Sequence, residues 1–378
     1  MEKDMSVQNN EMRIGIDAKW YFEGPASGKM VIRNLVNEIC KLKSNLNFYI
    51  ILDKRCKGLK LDFETSNVRK VYVWNGNNLL SNVFFVPNIA KKYNLDAVLY
   101  QTSVSCFGKH KKIAYIHDLI YISHPQYYTF IERIYLKPLK FLARFSDFII
   151  TVSDFEKSRF KDLNFSNKKI EVLHHGFDPK FKEITSFASE SLKDIKDRFA
   201  LPDSFVLYVG RINSRKNVPS LIKAFAKVNC SIPLVLVGNK EWKTDNIDSL
   251  ISELKLTDRI IQTGPLFGDE LAKVYALSTV FCFPSFEESF GLPPLEAMAS
   301  GIPVVVSNSS SLPEVCGEAA IYVNANESKD IADAISQLLI DKVLYNKHKQ
   351  LSLDRAKLFS WTKTTQNLIE ILESRYVK

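Results

Sequence analysis

No uninterrupted apolar run in this chain approaches the roughly 18 residues needed to span a bilayer, and the first residues, Met1 to Met12, are polar rather than signal-like. The expectation is a cytoplasmic protein, with peripheral attachment to the inner face of the cytoplasmic membrane left open. Cysteine is sparse. Cys40, Cys56, Cys106, Cys230, Cys282 and Cys316 are scattered, with no C-x-x-C pair or adjacent histidine cluster, so neither a zinc site nor a disulfide framework is indicated. They read as reduced, mostly buried thiols. An arginine-rich recognition helix, a zinc finger and an RNP-like strand are all missing, which argues against a nucleic-acid partner. Also absent are the Gly-x-Gly-x-x-Gly dinucleotide fingerprint, internal repeats and low-complexity tracts.

What is present suits two ordinary globular domains: 378 residues, 46% hydrophobic and 25% charged. The net charge of +9 is uneven. Residues 1–180 hold 28 Lys and Arg against 18 Asp and Glu, whereas residues 181–378 hold 23 against 24. A basic half is most often a solvated face. Attraction to an anionic membrane surface is the second reading, because the Lys-rich stretches Lys54–Lys60 and Lys109–Lys112 have apolar and aromatic neighbours.

Short β-branched or apolar runs alternate with helical patterns from end to end, which indicates an α/β chain with parallel sheets and crossover helices. Seven strands are expected before residue 175, near 13–17, 48–52, 68–73, 97–100, 113–116, 148–152 and 170–173. Helices are expected between them near 29–41, 83–92, 130–144 and 155–163. An irregular stretch from His175 to Ser191 reads as the interdomain linker. Six more strands follow, near 205–209, 234–237, 260–263, 280–283, 304–307 and 320–323. The expected division is 1–180, 181–358 and a closing helix in 359–378 that returns to the first domain. Two such domains place the default ligand site in the cleft between them, beyond the carboxyl ends of the strands.

The most informative stretch runs from Phe283 to Pro303. It sets Glu288 in the loop after a buried strand and Glu296 about one turn into a helix entered through Gly291, Leu292, Pro293 and Pro294. Prolines suit a first helical turn. The amides of Gly291 and Leu292 are then available to an anion such as a phosphate. The same domain opens with Gly210-Arg211 followed by Lys216, a strand running into a cationic loop, where Arg211 can fork onto phosphate oxygens and Lys216 adds a point charge. In the first domain, Gly24 to Gly28 bridges a strand ending at Asp17 to the next helix, and His117-Asp118 ends another strand. Taken alone, each piece has an ordinary structural reading, such as a solvated acidic pair, a basic surface loop, a βα turn or a structural histidine.

Together, Gly-Arg-x4-Lys and Glu288-x7-Glu296 resemble the retaining nucleotide-sugar enzymes of glycosyltransferase family 4, with the GT-B fold: two Rossmann-like domains facing across a cleft. Ser307 to Val315 and Phe359-Ser360-Trp361 look like further family segments. The resemblance implies a metal-independent transferase with no cofactor. Arg211, Lys216 and the helix amides would hold the donor diphosphate, and no D-x-D triplet occurs to bridge it through a metal. Glu288 would face the donor sugar and Glu296 the ribose. Phe290 belongs to the same donor loop, Gly28 would allow close approach to the donor phosphate, and the base would lie near Gly264. His117 would contact the sugar near the reacting carbon. Implied partners are a nucleotide-sugar donor, a GDP-sugar favoured, and a glycan or polyprenyl-linked glycan acceptor of surface polysaccharide assembly. A hydrolase or epimerase of the same donors, and a non-catalytic nucleotide-binding protein docking at membranes, stay open as alternatives.

Overall fold

The computed structural model describes residues 12–61, 68–74, 76–240 and 247–376. Its first sheet contains β1 (Arg13–Asp17), β2 (Asn47–Asp53), β3 (Val68–Val73), β4 (Ala97–Gln101), β5 (Lys111–Tyr115), β6 (Phe148–Thr151) and β7 (Ile170–Val172). The second contains β8 (Val206–Val209), β9 (Leu234–Val237), β10 (Ile260–Gly264), β11 (Val280–Phe283), β12 (Val304–Ser307) and β13 (Ala320–Val323). All thirteen strands lie where the hydrophobic runs place them, to within a residue or two. The reason is burial on both faces: β8, β9, β11 and β12 have every residue buried, so each reads as a continuous apolar run instead of an alternation.

The sheet orders are β3-β2-β1-β4-β5-β6-β7 and β10-β9-β8-β11-β12-β13, with every pairing parallel. Each order reverses direction once, between β1 and β4 in the first sheet and between β8 and β11 in the second. At such a point successive crossovers go to opposite sides, and the loops part to leave a crevice beyond the strand ends. The architecture is the expected α/β arrangement of two Rossmann-like parallel-sheet domains.

The last helix, Trp361–Tyr376, packs against the Ala26–Lys41 helix of the first sheet. Thr362 Oγ1 donates to Glu38 Oε2 at 2.8 Å, Arg375 pairs with Glu171 on β7, and its guanidinium lies 4.3 Å from the Phe148 ring centre. The return path passes so close to Gly176 that a Cβ there would lie 2.1 Å from the Trp361 nitrogen. Only glycine fits.

Two helices differ from expectation. The stretch 130–144 is not one helix but two, Phe130–Leu136 and Leu139–Leu142, because Pro138 has no N–H to continue the first. The first crossover helix begins at Ala26, after Pro25, so Gly28 lies in its first turn and not in a loop. What fills the space beside Gly28 is Trp20, whose ring would be 2.8 Å from an added Cβ. All six cysteines are free thiols, four of them buried.

Candidate active site

The loop after β8 carries the cations. Gly210 leaves the strand at φ +157, and the neighbouring β9 loop crosses it so closely that a Cβ on Gly238 would sit 1.9 Å from the Gly210 carbonyl oxygen. Tyr208 Oη anchors the turn by donating to Arg211 O at 2.9 Å. A single 3-10 turn, Ser214–Lys216, follows, and the Asn213 side chain caps it by accepting from Lys216 N at 3.1 Å. Asn217, left-handed at φ +57, opens the next helix and bonds Pro284 O and Ala325 O. Held at both ends, this turn drives Lys216 inward. Its Nζ lies 2.5 Å from Glu288 Oε1 and 4.8 Å from the Phe283 ring centre, with the residue 7% exposed. Arg211 instead stays at the surface.

Glu288 is buried in the loop after β11, where Lys216 and Ser285 Oγ both donate to Oε1, the latter at 2.6 Å. Arg215 Nη1 lies 3.6 Å from Oε2 and donates to Glu287 O at 2.6 Å. The serines after β12 hold the loop's backbone. Ser310 Oγ accepts from Glu288 N, Ser311 Oγ donates to Glu288 O and Phe290 O, and Ser309 Oγ donates to Phe286 O. Three hydroxyls in one short segment thus position the carboxylate from behind. Burial works to raise the Glu288 pKa, but Lys216 and Arg215 outweigh it and hold the group below its ordinary value. Burial pushes the Lys216 ammonium down to about 7, against the pull of Glu288. An arriving polyanion would reverse that and hold the lysine charged.

Gly291, at φ +114, begins the Leu292–Ala299 helix, which has a proline in its first turn and no side-chain cap. Its N-terminal end is therefore open to an anion. Glu296 lies inside this helix, buried, accepting from Tyr275 Oη at 3.0 Å. Burial raises its pKa to about 8. Gly264 ends β10 at φ +74 with open space where a Cβ would be, and its carbonyl accepts from Gly238 N. The Phe290 ring turns toward the domain junction, 5.0 Å from His175 and 5.9 Å from Phe359 between ring centres.

The first sheet contributes from its own reversal point. Asp17 ends β1 and forms a buried network with Lys19 (2.5 Å), which also donates to Asn82 Oδ1 at 2.6 Å. Asp17 Oδ2 accepts from Gln101 N at the end of β4, and Gln101 Oε1 lies 2.9 Å from His117 Nε2. With that amide oxygen as the acceptor, the ring proton sits on Nε2 and Nδ1 is left to accept. Burial lowers the His117 pKa to about 4, so the imidazole is neutral at ordinary pH.

Several bonds cross between the two sheets. Arg159 joins Glu156 at 3.1 Å to Glu287 at 2.5 Å, and Glu156 Oε1 accepts from Leu119 N, two residues beyond His117. Ser153 Oγ donates to Ser289 O at 2.7 Å. Glu314 accepts from the amides of Asp154 and Phe155 and lies 2.7 Å from His174 Nε2. These contacts set the loop of His117 opposite the loop of Glu288.

Of the residues singled out from sequence, the structure brings Lys216 and Glu288 into contact, and places Gly291 and Leu292 at the start of the helix carrying Glu296. The structure adds Arg215, Ser285, Gln101 and Arg159 to these. Arg215 stands beside Lys216 in the same basic turn, and Gln101 ends the strand at the reversal point, so both were in view. Arg159 carried no signal, since its partner is 128 residues away.

Comparison with known proteins gives the family. Residues 192–354 match the family model described as Glycosyl transferases group 1, and residues 50–181 match Glycosyltransferase Family 4. O-antigen chain mannosyltransferase B of Escherichia coli is 30% identical over 265 residues, covering 68% of this chain and 69% of that protein. The serotype-specific mannosyltransferase WbdA of Escherichia coli is 35% identical over 193 residues, half of this chain but 24% of that protein. The chain spans about a quarter of the length of the first three curated relatives it matches. Among solved structures, sucrose-phosphate synthase from Thermosynechococcus elongatus superimposes with a TM-score of 0.76 at 19% identity, covering 97% of this chain and 99% of that one. The chain belongs to the family 4, group 1 glycosyltransferases.

Proposed function

We propose that the protein is a retaining, metal-independent glycosyltransferase that moves a sugar, mannose from GDP-mannose, to a glycan or polyprenyl-linked glycan acceptor in surface polysaccharide assembly. The observation that carries it is the Lys216–Glu288–Arg215 cluster at the reversal point of the second sheet, on the loop that Arg159 and Glu156 tie to the loop of His117, beyond β5 of the first sheet. A departing diphosphate develops negative charge. Arg211, Arg215, Lys216 and the helix start at Gly291 would stabilise it where a metal ion serves elsewhere. Glu288, already ionised, would orient donor hydroxyls, Glu296 would meet the ribose, and Gly264 would lie against the base. His117 would present a neutral imidazole to the sugar. Retention follows if the acceptor attacks on the face from which the diphosphate leaves, the leaving phosphate taking the acceptor's proton; no protein nucleophile is then required. Mannose and the polysaccharide acceptor are supported by the names of the relatives. Thermal unfolding with GDP, UDP, ADP and dTDP tests the donor, since a ligand that binds only the folded state raises Tm. GDP should give the largest shift. A flat response to all four would refute the assignment.

A further inference from the structure

The Phe130–Leu136 helix has a complete capping box at Thr129 and Glu132, yet none of its residues is buried. A helix gains most of its stability by burying an apolar face. Here that face is outside: Phe130 is 73% exposed, Ile131 78% and Ile134 55%, and Phe141 follows at 56% on the next helix. Among the described residues seventeen large hydrophobic side chains stand exposed, and eleven of them lie between Trp74 and Phe145. All eleven belong to the first domain, and several are paired. The Trp74 and Phe85 rings are 5.1 Å apart, Phe84 and Phe107 5.7 Å, and Phe141 and Phe145 5.4 Å. A patch of this kind on one domain marks a docking surface.

Its charge identifies the occupant. From Thr129 to Phe145 there are four cations, Arg133, Lys137, Lys140 and Arg144, and a single acid, Glu132. That acid is occupied in the capping box, accepting from Thr129 N at 2.7 Å. Aromatic and branched residues interleaved with unopposed cations match an anionic lipid surface, where rings enter the headgroup boundary and lysines meet phosphates. The patch also adjoins the cleft. Tyr128, one residue before the capping threonine, donates from Oη to Asp118 Oδ1 beside His117.

We propose that the face built on Phe130, Ile131, Ile134 and Phe141 inserts into an anionic bilayer and so presents the cleft to an acceptor carried by a lipid. The second half rests on the reading of the cleft as a sugar-transfer site; the docking does not. The expected basic stretches at Lys54–Lys60 and Lys109–Lys112 are not the centre of this surface. The test is flotation of the full chain with vesicles of phosphatidylcholine containing phosphatidylglycerol, and with phosphatidylcholine alone. The native chain should float with the anionic vesicles, less so at high salt. The double variant Ile131→Glu, Ile134→Glu should bind them at least about tenfold more weakly. Both sites are exposed, so its unfolding temperature and its GDP-induced shift should match the native chain. Equal flotation of variant and native chain would overturn the proposal. So would a native chain that ignores anionic vesicles but dimerises in a way the variant abolishes, which would assign the face to a second copy. No donor is present in flotation, so failure here and failure of the nucleotide shift are separate results.

Discussion

Replacing Lys216 by methionine should expose how much the Glu288 site depends on its cation. Removing one partner of a buried ion pair leaves an uncompensated charge and costs about 3–5 kcal/mol. Arg215 at 3.6 Å and Ser285 at 2.6 Å remain to hold the Glu288 carboxylate, so the lower end, about 3 kcal/mol, is expected. In thermal unfolding that is a drop of about 6–12 °C. The double variant Lys216→Met, Glu288→Gln removes both charges and should recover most of the loss, because the cost lies in the orphaned carboxylate. Both variants should lose donor turnover, while only the single one loses much stability. A double-mutant cycle by chemical denaturation measures the coupling. Additive losses in the cycle, or a single variant within about 0.5 kcal/mol of the native chain, would refute the buried pair as the organising contact.

Lys216 titrates near 7 in the free protein and must be charged to meet a diphosphate, so kcat/KM should fall as pH rises through that value. Lys216→Arg should move the fall out of range, and a profile unchanged by it would assign the titration elsewhere. Glu296 has a folded pKa of about 8, above its unfolded value, so the folded state binds the extra proton between about 4.5 and 8 and stability declines as pH rises through that window. Glu296→Gln should be near neutral at low pH and progressively stabilising as pH rises to about 8, by up to about 5 kcal/mol, with weaker nucleotide binding; a constant difference across pH would contradict this. If cations and helix amides take the metal's place, transfer assayed in excess EDTA should keep its rate. Loss of activity restored by a divalent ion would overturn that.

Much of the fold was legible because buried parallel strands must be apolar on both faces, and prolines mark the helix starts at Val218, Leu292 and Leu312. The halves of the site were legible separately: Arg211 and Lys216 in one loop, Glu288 and Glu296 in another, His117 at a strand end. Less visible was how a cation would be used. Lys216 and Arg211 look equivalent in sequence, yet the turn capped by Asn213 buries one against Glu288 and leaves the other at the surface. Lysine-rich stretches show in a sequence as charge density, whereas an uncovered apolar helix face looks like any amphipathic helix until its neighbours are placed.

The sequence by itself determined the alternation of strand and helix, the two-domain plan and the spacing that brings carboxylates and cations to strand ends, since these depend on local hydrophobic pattern and backbone chemistry. Tertiary structure alone decided which groups are buried together. Gln101 reaches His117, Arg159 reaches Glu287, and the helix from Phe130 to Leu136 faces outward, because burial and pairing depend on contacts between segments far apart in the chain.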